Sequence, residues 1–380
     1  MPTEKGSAGF SLKDQLFNRE RIEYLAGLFA AADSRFDSDR FVRESMKGLS
    51  RLELKERIVH LAERLEKHLS PDFAVAAQQI TDAMPPPLDP RKTDDDFGDF
   101  IFAPLGEFVV RNGLEKKHVN RSLRTLKALT QRFSMEDAIR AFLNGHPERT
   151  LNELQKWSTH KNYHVRRLVS EGTRPKLPWS KRLSIPVTTP LPLLEQLHAD
   201  PTRYVTRSVA NHLNDLTKSH PDLVLEMLQR WKQAAKQDEK ELRWISRHAL
   251  RTLVKQGSAE ALAFLGFRPD PQIEVSGYKL KRSKIRPGEA IDISFEVAAR
   301  RDESLMVDYV IDFVKANGKH SPKVHKLKQL ALKSGSSLSM RKRHVLRANA
   351  TTYTLYPGTH HVTLQINGKP FGTQSFELLP

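Results

Sequence analysis

An all-α repeat solenoid followed by an all-β immunoglobulin-like sandwich is the fold class this sequence predicts, and three observations predict it. The first is a recurrence. Arg167, Arg207 and Arg247 follow one another at intervals of 40 residues, inside HVRRLVSEG, YVTRSVANH and WISRHALRT. Each arginine has an apolar pair after it and an aromatic or a histidine shortly before it. A period near 40 residues with two helices per unit is the signature of HEAT-type repeats. The second is helical apolar spacing from Leu12 to about Gly266, as in Val165, Leu168 and Val169 at i, i+3, i+4. The third is a change of period after Gly266. Ile291, Ile293, Phe295 and Val297 there alternate with Asp292, Ser294 and Glu296, the pattern of a half-buried strand.

The elements follow in order. Residues 1–11 read as a disordered tail, 12–267 as the helical domain and 268–380 as the sandwich. In SRLELKERIVHLAERLEKHL, Ser50 is the expected N-cap and Glu53, three residues on, would complete a capping box. MPPPLDPRKTDDDFGD, from Met84, is a loop: its prolines break helices, and Asp94, Asp95 and Asp96 repel one another. No further ligand stands at metal spacing from those aspartates, so a solvated turn is expected. His146-Pro147 and His220-Pro221 mark helix starts. In RFSMEDAIRAFL, Ser134 is the expected N-cap, with Glu136 in the first turn. Gly172 is expected to stop the helix that begins near Tyr163, and Pro175 and Pro178 to keep it from resuming before Trp179. MVDYVIDFV, from Met306, is a strand, and two more flank an Asn367-Gly368 turn. Short strands with turn signals over this length give the sandwich reading.

The 380 residues carry a formal net charge of +17 and no cysteine. The charge points to a polyanionic partner, nucleic acid before membrane. The lack of cysteine excludes disulfides and thiolate metal sites and fits a reducing cytosol. No apolar run approaches the roughly 20 residues that span a bilayer, and MPTEKGSAGFSLKDQ has no basic region followed by an apolar core, so no secretory signal is expected. The sandwich holds 19 Lys and Arg against 10 acids, about half of the excess. KLKRSKIR (from Lys279), KVHKLK (from Lys323) and MRKRHVLR (from Met340) are candidates for tracking phosphates.

No Gly-rich phosphate loop, serine elbow or HExxH occurs. His360-His361, the one adjacent histidine pair, would point to opposite faces of a strand, so neither a metal nor a cofactor is expected. The chemistry-bearing residues left are on the inner surface of the repeats. They are the carboxylates Glu136, Glu171 and Asp215; the arginines Arg166, Arg167, Arg207 and Arg247; the amides Asn211 and Asn214; and Trp157, Trp179 and Trp244. Each also has a structural reading. Arg167 and Glu171 suit an i,i+4 pair, Trp157 and Trp244 lie on apolar stripes, and the amides and Asp215 could bridge repeats.

WSTHKNYHVRRLVSEGTRPKLPW, YVTRSVANHLNDLTKSHPDLVLEML and RWISRHALRTLVKQGSAEALAFLGF resemble the AlkC family of bacterial DNA alkylation repair glycosylases. The resemblance covers most of Leu12 to Phe267, with SEGTRPKLPW and SVANHLND its most specific strings, and the sandwich fits an extension found in part of that family. It implies excision of cationic alkylated bases, chiefly 3-methyladenine, from duplex DNA by hydrolysis of the N-glycosidic bond, without base flipping. It also implies a monomer in the bacterial cytoplasm. On that reading Glu171, Glu136 and Asp215 supply negative charge and position the water, and Trp179 lies against the deoxyribose. Arg166, Arg167 and Arg207 grip phosphates, and Asn211, Asn214, Arg247 and Trp157 complete the DNA face. A non-catalytic repeat module that binds DNA or RNA, and a protein adaptor, are the competing readings.

Overall fold

The structure is a computed structural model that describes residues 11–92, 96–350 and 353–380. The expected disordered tail, save Ser11, and the aspartates Asp94 and Asp95 lie outside the described residues. Sixteen α-helices precede eight strands among the described residues. The first five are α1 (Leu12–Leu16), α2 (Arg19–Ala32), α3 (Ser38–Met46), α4 (Leu54–His68) and α5 (Phe73–Asp82). After the proline loop come α6 (Ala103–Gly113), α7 (Val119–Leu129), α8 (Glu136–Gly145), α9 (Pro147–Trp157) and α10 (Tyr163–Gly172). Then follow α11 (Leu191–Leu197), α12 (Arg203–Leu216), α13 (Pro221–Ala234), α14 (Glu239–Ala249), α15 (Arg251–Lys255) and α16 (Ala259–Phe264).

Packing divides the described chain into two compact units. One runs through Lys218 and includes Trp231–Ile245; the other joins Ser219–Arg230 to Ser246–Pro380. The last helices therefore group with the sandwich, ahead of the boundary expected at residue 267.

The first unit is a two-row stack. Helices α4, α6, α8, α10 and α12 lie side by side in one row, with α5, α7, α9 and α11 packed behind. The rows cohere because each helix buries an apolar stripe: Val165, Leu168 and Val169 of α10 are fully buried, as are Val205, Val209 and Leu213 of α12. Three helix ends differ from expectation. The N-cap of α4 is Glu53, in a capping box with Glu56, while Ser50 lies in a short 3₁₀ turn, Leu49–Arg51. Glu56 can bond back to the Glu53 N–H, whereas Ser50 has no helix to cap. Met135, not Ser134, occupies the N-cap position of α8, with no side chain capping it, and the Ser134 hydroxyl donates to Glu136 instead. Gly172 is the last residue of α10 rather than a left-handed stop: a Cβ there would lie 2.4 Å from Ile139 Cγ2, so glycine lets α10 approach α8.

In the second unit the strands form two sheets. One orders β1 (Ile273–Leu280), β3 (Ala290–Ala299) and β6 (Ser337–Val345); the other orders β2 (Lys284–Ile285), β8 (Lys369–Leu378), β7 (Gly358–Ile366), β4 (Glu303–Val314) and β5 (His320–Leu332). Their facing sides enclose one core that includes Ile291, Phe295, Val307, Tyr309, Val362 and Phe376. The Asn367-Gly368 turn is present, both residues having positive φ, at 47° and 81°. His360 is buried and His361 is not, so the pair does face opposite ways. On the other side of β4, Met306 packs with Leu262 and Phe267, which is why α16 belongs to this unit.

Candidate active site

Three successive helices of the front row each bring one carboxylate to the same place. Glu136 opens α8, and Glu171 and Asp215 are the penultimate residues of α10 and α12. Two arginines thread them. Arg167 Nη1 donates to Glu136 Oε2 at 3.0 Å and to Ser134 Oγ at 2.5 Å, and Arg167 Nη2 lies 3.8 Å from Glu171 Oε2. Arg174 Nη1 donates to Glu171 Oε1 at 2.6 Å, and its Nε and Nη2 both reach Asp215 Oδ2 at 3.0 Å. Ser208 Oγ donates to Glu171 Oε2 at 2.6 Å, and the Ser134 hydroxyl donates to Glu136 Oε2. Counted as ions, the row has three negative and two positive charges, one net negative charge in a strongly basic chain.

The carboxylates are not equivalent. Glu171 and Asp215 are each 6% exposed at the side chain, against 24% for Glu136. Both Glu171 oxygens are occupied by donors. Among the described residues Glu136 accepts only on Oε2, and Oε1 has no partner there. Burial pushes both glutamates up, but Arg167, Arg174 and the Ser208 and Arg174 hydrogen bonds outweigh it at Glu171, which ends below the usual carboxylate range. At Glu136, burial together with the Glu171 charge prevails over Arg167 and holds the carboxyl above it. Arg167 stays charged, stabilised by both glutamates against the cost of its burial, with its guanidinium 4.5 Å from the centre of the Tyr204 ring and 5.3 Å from that of Phe97. Next to the row, His164 and His212 are buried and neutral, pushed down by burial to about 4 and about 3.

The segment after α10 carries Trp179, which is 78% exposed and has a φ of 66°. Arg140 of α8 fixes that segment: almost fully buried, it donates to the carbonyls of Gly172 at 3.1 Å, Arg174 at 2.8 Å and Lys181 at 2.6 Å. Asn144 holds the next stretch through Arg182 O and Ser184 N, and Lys55 of α4 donates to Trp179 O.

Of the residues expected on DNA, several are placed otherwise. Arg166 is bound to buried Asp200 at 2.5 and 3.0 Å and to His160 O, and Arg167 is buried among the carboxylates, so neither guanidinium is free for a phosphate. Trp157 is 2% exposed and belongs to the core, its place on an apolar stripe having decided its position. Asn214 is buried; Arg207 and Asn211 are half-buried on α12. Arg247, in the second unit, is exposed and donates to Gln329. Trp244 lies over Arg203 at 4.0 Å. Sequence reasoning missed Arg174, Arg140 and Ser208. The signal for Arg174 was present: it stands three residues after Glu171, one helical turn on. Among the described residues no His, Asp and Glu group could hold a metal ion, and no helix is long and apolar enough to cross a membrane.

Known proteins resemble this chain over nearly all of its length. Residues 274–380 match a family model described as the C-terminal Ig-like domain of the uncharacterised protein YhaZ. The uncharacterized protein YhaZ of Bacillus subtilis (strain 168) is 31% identical over 368 residues, which is 96% of this chain and 98% of that protein. A solved structure of the alkylpurine DNA glycosylase AlkC of Pseudomonas fluorescens, bound to DNA containing an abasic site analog, is 34% identical. It superposes with a TM-score of 0.86, over 97% of this chain and 100% of that one.

Proposed function

Starting from the fact that this chain belongs to the AlkC family, we propose that it is a DNA glycosylase that hydrolyses the N-glycosidic bond of cationic alkylated bases in duplex DNA. Its chief substrate is 3-methyladenine, with 3-methylcytosine as a secondary one, and its setting is base excision repair in the bacterial cytoplasm. The observation that carries this reading is the row of three carboxylates threaded by Arg167 and Arg174 beside the segment that displays Trp179.

A base alkylated at N3 is already positively charged. Its bond to C1′ breaks with both electrons going to the base, which leaves neutral and needs no acid. What remains is an oxocarbenium-like sugar, and preformed negative charge stabilises it. Glu171 is suited to stabilising that cation, being ionised, buried and held on both oxygens, so that its charge is fixed before the substrate arrives. Asp215 extends the same field through Arg174. Glu136 suits the water. Its Oε1 is without a partner among the described residues, it is the most exposed of the three, and its raised proton affinity favours taking a proton from the water. Water then adds to C1′ and its proton passes to Glu136. The exposed Trp179 offers a ring face to the developing cation. The leaving base needs no group to protonate it, so the chemistry does not require a pocket around the base, and cleavage without drawing the base from the stack is part of this proposal. The outward arginines and lysines of the sandwich hold the duplex as a monomer's second hand.

The test is release of free base from methylated duplex DNA, with uracil and hypoxanthine duplexes as controls. Release of 3-methyladenine with little release of the neutral bases supports the reading. Rapid excision of the neutral bases refutes the reliance on cationic lability, and salt-sensitive binding with no release replaces the enzyme by a binding module.

A further inference from the structure

Phe97 takes no part in the chemistry of the carboxylate row, yet the fold displays it with care. The residue is 52% exposed, unusual for a phenylalanine. The backbone around it is pinned. Gly98 forms a β-bridge with Phe133, the Ser134 N–H donates to Phe97 O at 3.2 Å, and the Asp99 N–H donates to Arg132 O at 3.0 Å. Gly98 has a φ of 79°, and a Cβ on it would fall 1.9 Å from Arg132 O, so only glycine permits this clasp. The stretch of chain to which Phe97 is fastened, Arg132 to Ser134, leads directly into Glu136. The ring itself meets the Tyr204 ring edge-on, with centroids 5.7 Å apart at 88°, and lies 5.3 Å from the Arg167 guanidinium. Arg167 in turn holds Glu136 and Ser134. An apolar ring is thus held rigidly at the outer edge of the carboxylate row, one side chain away from Glu136.

We propose that Phe97 is a substrate-positioning residue: its exposed ring packs against a base or deoxyribose of the nucleotide bordering the lesion, and so sets the scissile bond over Glu136 and Glu171. This rests on the glycosylase reading. Rings make good contacts here because every nucleobase has a π-face, so the grip is indifferent to sequence. It also complements Trp179, the exposed aromatic on the segment after α10, so that two rings on different clasped segments meet the substrate.

The competing role is structural, with the ring serving only to cover Arg167. The two roles separate in a set of four measurements on the full-length protein: 3-methyladenine release, its pH profile, Tm, and binding to abasic-analog duplex against undamaged duplex. For Phe97→Ala the proposal expects kcat/KM to fall about tenfold, the effect of removing one stacking ring, and the preference for the abasic duplex to shrink, while the pH profile and Tm stay put. Phe97→Tyr should restore both and Phe97→Leu should not. A ring that only covers Arg167 gives the opposite pattern: Leu rescues, the pH profile moves with the Glu136 carboxyl, and duplex preference is unchanged. That pattern, or an active Phe97→Ala equal to the parent protein, overturns the proposal. If the parent protein itself releases no base, the glycosylase reading fails first and Phe97 loses its substrate with it.

Discussion

Arg174→Gln removes the cation that joins Glu171 to Asp215, and its consequences can be worked from the geometry. Arg174 is 11% exposed and reaches Glu171 at 2.6 Å and Asp215 twice at 3.0 Å, both partners being 6% exposed. A charge pair about 4 Å apart is worth about 4 kcal/mol at an effective permittivity near 20. Two such attractions disappear, while the desolvation cost of Arg174 itself is recovered. The net loss expected for stranding buried partners is about 3–5 kcal/mol. Its pH dependence should also weaken. In the parent protein burial raises Glu171 and the two arginines depress it below its ordinary value. Its contribution to stability is therefore full above the ordinary carboxylate range and is lost as pH falls through the lowered value. With Arg174 gone, burial is opposed by Arg167 and the Ser208 hydrogen bond alone, so the Glu171 carboxyl rises from its lowered value. Urea unfolding near neutrality and at about pH 4 should then show the deficit narrowing toward acid, because the parent loses the Glu171 contribution as pH falls and the variant has less of it to lose. A deficit below about 1 kcal/mol, the size of a surface pair, or one that does not change with pH, would refute the view that this row is a coupled and buried network.

Two further outcomes follow from exposure and charge. Trp179→Ala should leave stability within about 0.5 kcal/mol, as for other exposed sites, because the residue is 78% exposed. Base release should nevertheless fall roughly 2- to 30-fold, the range of a cation–π interaction; thermal unfolding and single-turnover rates check the two halves. Arg341 and Arg343 project to the same, exposed face of β6. Replacing both with Gln should weaken duplex binding and flatten the plot of log K against log salt by about 0.9 for each phosphate no longer neutralised, and an unchanged slope would remove this strand from the DNA grip.

The elements whose period is strong could be read without the structure. The 40-residue interval of Arg167 and Arg207 reappears as the same fifth position of α10 and α12. The alternation from Ile291 to Val297 is the buried side of β3, and Asn367-Gly368 turns β7 into β8. Strands β5 and β6 were read only as basic clusters. Each is the outer strand of its sheet, and their lysines and arginines dilute the apolar alternation that identifies a strand. The three carboxylates stood out because few other chemistry-bearing residues lay on the repeats. Their wiring did not, since a guanidinium chooses partners across packed helices: Arg166 is satisfied by Asp200, 34 residues away, and Arg140 by carbonyls 32 to 41 residues away. Arg166 and Arg167 were read as phosphate grips because charge alone carries no information about burial. Phe97 was invisible for a related reason. Its display depends on a glycine clasp to Arg132–Ser134, and no local pattern announces a tertiary clasp.

The measurement that bears most directly on the central claim is release of 3-methyladenine from methylated duplex DNA by the intact protein and by Glu171→Gln, side by side with their duplex affinities. Glutamine keeps the shape of the side chain and removes its charge. The account predicts that the intact protein releases the base, and that the variant binds the duplex comparably but loses about 10²–10³ in rate, the scale of one preorganised electrostatic group. An intact protein that binds and releases nothing, or a variant as fast as its parent, would contradict it.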